Sequence, residues 1–175
     1  MESCSGKQHS IIANQHQQWV YRKFLSTDVL VKMTPGLTIN KTINIAAGKS
    51  KVWEALTNPK FIKQYLPGAD VKSDWKVGSK IIYSGIFNGI KFKDEGEINI
   101  LDFEKQFQYS YWSANHGTVN IPKNHVIISY TITATNGGTK LELTQSNYKS
   151  KEVAEEMNPI WDLILGNLKK LVETK

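Results

Sequence analysis

Hydrophobic and polar side chains alternate along most of the chain after residue 36, which is the pattern of half-buried β-strands. Ile39, Ile43 and Ile45 share one parity, and Thr and Asn occupy the other. The same alternation returns in six later segments that glycine or asparagine separates. Together with a first strand from Leu37, these segments predict seven strands, the later six over about 69–74, 79–87, 91–102, 105–113, 124–135 and 139–147.

Two short helices are predicted between the first and second strands. Val52 and Leu56, with Trp53 beside them, form an apolar stripe at helical spacing. Asn58 ends that helix and begins the next, because an asparagine N-cap followed by proline is a typical helix start. The second helix is expected over residues 60–65.

The last part of the chain predicts a long amphipathic helix. Its apolar residues recur at helical spacing, and they are Ile160, Trp161, Ile164, Leu168, Leu171 and Val172. Asn158 and Pro159 resemble the earlier helix start, so residues 150–157 are expected to form a separate short turn. Because an antiparallel sheet that is wet on one side needs a cover for its apolar face, the element order predicts an α+β fold.

The composition is that of a folded globular domain. The 175 residues are 40% hydrophobic and 22% charged, which excludes disordered, collagen-like and coiled-coil chains. The length suits one domain. No apolar run approaches the roughly 18 residues of a membrane span, so no membrane insertion is expected.

Charge and cysteine content narrow the class of protein further. The net charge is +6, but lysines are interleaved with acidic residues, as in residues 91–97, whereas a nucleic-acid site needs clustered cations. The single Cys4 cannot form an intramolecular disulfide, and no Cys/His spacing predicts a zinc site, so no metal or cofactor is expected. Residues 1–30 lack the continuous apolar stretch of a signal peptide, which favours a cytoplasmic protein.

Residues 1–36 differ in composition and hydrophobic patterning from the rest of the chain. Gln and Ser are frequent, no helical or strand period holds, and the stretch closes with Thr34, Pro35 and Gly36. We expect a flexible extension here and a folded domain over residues 37–175. Residues 19–25 interleave aromatics with cations, so this part could be a docking peptide, a membrane-surface contact or a dispensable tail, with translation starting at Met33.

Five blocks of sequence resemble, in order, the family named for the activator of the heat-shock protein 90 ATPase, within the START-like (SRPBCC) superfamily. The blocks are VWEALTNP at 52–59, DWKVGSK at 74–80, EGEI at 95–98, GTKLELT at 138–144 and WDLILGNL at 161–168. The resemblance covers about residues 37–173 and implies a helix-grip fold, in which a curved antiparallel sheet wraps a long C-terminal helix. Within such a fold, Gly96 is expected to mark a bend or bulge.

A helix-grip fold commonly leaves an apolar cavity between sheet and helix, which would make the chain a non-enzymatic binding protein for a small hydrophobic or lipid-like molecule. Phe107, Tyr109 and Tyr111 alternate in one strand, and Tyr130 faces inward on the next. The alternative is a filled core made of the same aromatics. The candidate lining residues are Trp53, Phe92, Tyr109, Tyr111, Tyr130, Met157, Trp161 and Ile164.

Two other functions are weighed against binding. The resemblance implies a cochaperone-like role in the stress response, stimulating the heat-shock protein 90 ATPase through a surface of the domain. It also points to cyclase or aromatase enzymes of the superfamily. The sequence offers little for catalysis, since His116 and His125 are expected at the surface and no nucleophile elbow, phosphate loop or metal cluster is present. Asp94 could point into the cavity with a raised pKa, although a position open to water near the strand end is expected.

Overall fold

A computed structural model describes residues 37–66, 68–87 and 89–174, so the predicted extension over residues 1–36 lies outside the described residues. The strands are β1 (Leu37–Ile45), β2 (Ala69–Ser73), β3 (Lys80–Phe87), β4 (Ile90–Asp102), β5 (Gln106–Tyr111), β6 (Val126–Thr135) and β7 (Gly138–Tyr148). The helices are α1 (Lys49–Thr57), α2 (Pro59–Tyr65) and α3 (Lys151–Glu173), and short 3-10 turns occupy Ala114–His116 and Pro122–Asn124.

The seven strands form one antiparallel sheet in the order β1-β7-β6-β5-β4-β3-β2. The sheet is curved, and its inner face packs against the helices. This arrangement confirms the predicted helix-grip α+β fold, with a strand, two short helices, six strands and a long C-terminal helix. Burial alternates along the strands as the sequence pattern requires.

β4 and β5 approach each other closely at Gly96. A Cβ atom added to Gly96 would lie 1.7 Å from the carbonyl oxygen of Ser110, so only glycine fits there. The pairing of β4 with β5 shifts register between Ile98 and Ile100, a short distance along the strand from Gly96. The pairing keeps one register from Glu95 to Ile98, so the irregularity that was expected at Gly96 lies instead between Ile98 and Ile100.

The start of α2 is as the sequence predicts. The side chain of Asn58 accepts a hydrogen bond of 3.0 Å from the backbone N–H of Lys60, and Pro59 occupies the first turn. This cap lets α1 and α2 follow one another with a single residue between them, and Ile62 and Tyr65 face the core.

The predicted separate turn at residues 150–157 is wrong, because α3 is continuous from Lys151 to Glu173. Ser150 caps the helix by accepting a hydrogen bond of 3.2 Å from the backbone N–H of Val153. Pro159 lies inside the helix and lacks an N–H, so it removes one hydrogen bond of the helix. The cap and the burial of Ala154 hold the first turns in place despite that loss.

The two ends of the sheet differ in what they carry. At one end, called here the Tyr111 end, β5 finishes, Leu37 pairs with Tyr148 and α3 begins. At the other, the Gly137 end, the turn between β6 and β7 lies near the end of α3, where Glu173 Oε1 accepts a hydrogen bond of 2.7 Å from the backbone N–H of Ala46. α3 therefore runs the length of the inner face.

Candidate functional site

A row of aromatic rings covers the inner face of the central strands. Phe107 and Tyr109 on β5 have ring centroids 5.0 Å apart, and Phe107 lies 6.2 Å from Tyr130 on β6. Tyr83 on β3 stacks on Tyr109 at 5.9 Å. Together with Tyr83 and Tyr130, the alternating aromatics of β5 therefore form a continuous wall from β3 to β6.

The hydroxyl groups of the tyrosines in this wall interact with one another. Tyr83 hydrogen bonds with Tyr109, and Tyr109 hydrogen bonds with Tyr130. Burial raises the pKa of each of these hydroxyls, and that of the nearby Tyr65, well above the usual value. All four stay neutral at physiological pH and can both donate and accept a hydrogen bond.

Trp161 connects α3 to the sheet through one glutamine. Its indole N–H donates to Oε1 of Gln145 on β7, and the hydroxyl of Tyr148 donates to the same oxygen at 2.5 Å. The Trp161 ring also meets Tyr130 edge to face, with centroids 6.4 Å apart. These contacts fix the middle of α3 against the aromatic wall.

The eight predicted lining residues fall into two groups. Four are buried core side chains, namely Trp53, Tyr109, Tyr130 and Trp161. Four are half-buried and pack against that core, namely Phe92, Tyr111, Met157 and Ile164. Trp53 packs against Phe103, which lies in the turn after β4. This turn is at the Gly137 end, so Trp53 and Tyr111 lie near opposite ends of the sheet.

A buried carboxyl group lies beside the wall at the Tyr111 end. Asp94 is 6% exposed, and the hydroxyl of Tyr111 donates to its Oδ2 at 2.5 Å. Ser113 donates a second hydrogen bond. Burial raises the pKa of the Asp94 carboxyl, although the two hydroxyl donors partly oppose this effect. The expected position open to water is therefore wrong, and the inward-pointing alternative is right.

The two histidines of the β5–β6 loop are half-buried, so they are less exposed than expected. The ring of His116 lies 5.8 Å from that of Tyr111, and burial lowers its pKa to about 4, with a smaller effect from His125. His125 interacts with Asn120 at 2.7 Å and Ser110 at 3.2 Å, and burial lowers its pKa too. Both rings are neutral at pH 7, and the loop is held against the sheet by its own side chains.

Two members of this site, Ser113 and Tyr83, were not among the candidate residues, and His116 was expected at the surface. Ser113 shares the parity of Tyr109 and Tyr111, which is a signal that could have placed it on the inner face. Tyr83 lies directly opposite Asp94 in the pairing of β3 with β4, and no local pattern gives that register. His116 reaches the site through a loop, where alternation carries no information.

A surface depression of about 430 Å³ lies at the Gly137 end, away from the aromatic wall. Its lining contains none of the eight predicted residues and consists of Asn44, Ile45, Ala46, Thr135, Asn136, Gly137, Lys169 and Glu173. Lys169 Nζ already donates to the carbonyl oxygen of Asn44 at 2.7 Å.

Across residues 37–66, 68–87 and 89–174, no three His, Cys, Asp or Glu side chains converge as metal ligands. In the same part of the chain, no helix has the length and hydrophobicity to span a membrane.

Solved structures share this architecture. The chain is 36% identical to ChR145 from Cytophaga hutchinsonii, with 81% of this chain and 97% of that one covered and a TM-score of 0.70. It is 24% identical to the Aha1 dimer from Colwellia psychrerythraea (78% and 96% covered, TM-score 0.64) and 22% identical to CV1439 from Chromobacterium violaceum (79% and 98%, TM-score 0.66). None of the curated proteins matches the chain.

Fold and comparisons together define a START-like helix-grip protein. A family model described as activator of Hsp90 ATPase homolog 1-like protein matches residues 46–173. The chain belongs to this family, as the five sequence blocks implied.

Proposed function

We propose that the chain is a non-enzymatic binding protein for a small hydrophobic or lipid-like molecule. The ligand would lie between the inner face of the sheet and α3, nearer the Tyr111 end, where three of the predicted lining residues, Phe92, Tyr111 and Met157, are only half-buried. The observation that carries the proposal is the row of tyrosine hydroxyls on an otherwise apolar wall.

Burying tyrosine hydroxyl groups in an apolar core costs free energy unless each hydroxyl has a hydrogen-bond partner. Burying one without a partner costs about 1–3 kcal/mol, and phenylalanine would fill nearly the same volume. Tyr83, Tyr109 and Tyr130 avoid that cost by bonding to one another. Such a chain of hydroxyls can also reorient toward a polar group of a ligand, which gives an apolar site its orientation.

Entry requires side chains that can move. Met157 and Ile164 lie half-buried on α3, and Phe92 lies half-buried on β4 with its ring against Gly85. Methionine is unbranched and adapts its shape at little cost. Displacement of these side chains would open space against the aromatic wall without breaking the strand pairing.

The same groups favour binding over catalysis. Tyrosines with raised pKa values hold their protons at neutral pH, and His116, with a pKa of about 4, is a weak base there. Efficient acid–base catalysts have pKa values near the working pH.

We also propose that the protein is cytoplasmic and that it does not bind nucleic acid. Both proposals rest on the charge distribution and the N-terminal sequence described above.

A cochaperone-like role is the second candidate, and the description of the matching family is the observation behind it. In that case an exposed surface of the domain would contact a heat-shock chaperone and raise its ATP turnover. The aromatic wall would then serve packing alone. This role predicts an effect on purified heat-shock protein 90 ATPase with no small ligand present.

A thermal-shift screen of the full chain tests the binding proposal. Fatty acids, sterols, flavonoids and polyketide-like aromatics serve as probes, and a ligand at about 100 times its Kd adds roughly 2.7 kcal/mol of stability. Met157→Phe, which fills space beside the wall, should weaken the response. Leu163→Phe is the matched control, since Leu163 lies on the same helix but is 42% exposed. No response to any probe, or equal loss in both variants, would contradict binding at this site.

A further inference from the structure

The carboxyl group of Asp94 is buried, and the described residues give it no cationic partner. It lies on the inner face of β4 opposite Tyr83, and it is 6% exposed. Among the ion pairs of the described residues, none involves Asp94. Its hydrogen-bond donors are the neutral hydroxyls of Tyr111 and Ser113.

We propose that Asp94 anchors the positively charged nitrogen of a ligand, so the class of molecule bound is a hydrophobic or aromatic amine. This inference rests on the proposed function, because the apolar part of the amine would lie against the aromatic wall. It adds the chemical class of the ligand and the residue that selects it.

The free acceptor capacity of the carboxylate suits an ammonium group. An ionised carboxylate offers about four lone-pair sites, and two hydroxyl donors leave others open. A buried carboxylate is costly unless an opposite charge compensates it, and an alcohol or amide ligand brings no charge. Hydrogen bonds between N⁺–H and a carboxylate are among the stronger ones in proteins.

The neighbouring lysine does not fill this role. Lys93 and Glu95 flank Asp94 in the sequence but lie on the other face of β4, where they pair with each other at 2.5 Å. Asn120 from the loop also donates to Glu95. The cation adjacent in sequence is therefore committed to a different carboxylate on the outer face.

The rings beside Asp94 also favour a cation. Tyr83 and Tyr111 have centroids 6.1 Å apart and planes at 72°, which forms a corner next to the carboxyl group. Phe92 lies one inward position away on β4. Aromatic faces attract ammonium groups, and more strongly where water is excluded. His116, which closes the corner on the Tyr111 side, is neutral at pH 7 and adds no competing charge.

The test compares a charged probe with its uncharged analogue on the full chain. Naphthylethylamine and naphthylethanol have the same aromatic group and differ in the ammonium, and binding of each is measured by isothermal titration calorimetry at pH 7. We expect the amine to bind at least about tenfold tighter than the alcohol. Equal affinities would overturn the inference and leave the proposed function standing, whereas no binding of either probe would count against both.

Two variants locate the preference at Asp94. In Asp94→Asn the amine should lose its advantage while the alcohol binds as before, and retention of the preference would overturn the inference. Glu95→Gln is the matched control, because it removes the adjacent outer-face carboxylate and should leave the preference unchanged. If the Asp94→Asn variant does not fold, the ¹³Cγ resonance of Asp94 in the unaltered protein tests the same contact. This resonance should shift when the amine is added and not when the alcohol is added, and the absence of a shift with the amine would overturn the inference.

Discussion

The hydroxyl of Tyr111 donates a hydrogen bond of 2.5 Å to Oδ2 of the buried Asp94, and this bond joins β5 to β4 at the Tyr111 end. The β5 ladder finishes at Tyr111, after which a single bridge between Glu95 and Trp112 continues the pairing. The side-chain bond therefore ties the strand end, the buried carboxyl and the following loop together.

Replacing Tyr111 with phenylalanine should lower the free energy of unfolding by about 1–3 kcal/mol, because Asp94 loses a donor while it stays buried. The pKa of Asp94 should rise further, since the Tyr111 hydrogen bond lowers it. Urea denaturation measures the first effect and a ¹³C NMR titration the second. In an Asp94→Asn background the cost should shrink, and an equal cost in both backgrounds would show that the two side chains are not coupled.

The raised pKa of Asp94 predicts how the Asp94→Asn variant compares with the unaltered protein as pH changes. The native state holds the carboxyl proton more tightly than the unfolded state, so the stabilisation is fully present below the usual pKa of 3.8 and is lost as pH rises through the native value. Asparagine has no such loss. The variant should therefore gain stability relative to the unaltered protein between pH 3.5 and pH 7, and denaturation curves showing a constant or opposite difference would contradict the burial argument.

His116 predicts a dependence of the opposite sign. Its pKa falls from 6.5 to about 4 on folding, so its contribution to stability is present above pH 6.5 and is lost as pH falls through about 4. Urea denaturation at pH 7 and pH 5 should show a larger loss for the unaltered protein than for His116→Gln. An NMR titration of His116 with a midpoint near 6.5 would refute this account of the loop.

Two glycines offer a contrast between close approach and open space. Gly96→Ala should destabilise the protein by about 1–3 kcal/mol or more, because the new methyl group collides with the Ser110 carbonyl oxygen. Gly166→Ala is the control: apart from the adjacent backbone of its own helix, no atom of the described residues lies within 4 Å of its added Cβ, and alanine in a helix gains about 0.5–1 kcal/mol over glycine. Thermal denaturation measures both, and a neutral Gly96→Ala would mean that the approach of β4 and β5 can relax.

The elements were predictable from local pattern, and the site was predictable only in part. Alternation gave the strands of the sheet, and Asn58 with Pro59 gave the start of α2, because these signals are local in the chain. The same dipeptide at Asn158 led to the wrong prediction of a helix start. The helix begins earlier, because the cap of Ser150 and the packing of Ala154 outweigh one lost hydrogen bond.

The burial of Asp94 depends on residues distant in the sequence. Parity placed its side chain on the inner face, but its exposure was set by the loop that carries Ser113 and His116, which covers the strand end. Strand register then placed Tyr83 opposite it. Register and loop docking are tertiary properties, so the hydrogen-bonded corner around Asp94 emerged only with the structure.

The central claim is that a small hydrophobic molecule binds between α3 and the aromatic wall, and NMR titration of the full chain with ¹³C-labelled tyrosine rings tests it most directly. Fatty acids, sterols, flavonoids and polyketide-like aromatics are added in turn. We predict saturable shifts of Tyr109 and Tyr130, which are 5% and 4% exposed, with at least one class of probe. Unchanged resonances for both tyrosines across every class would contradict the claim and indicate a filled core.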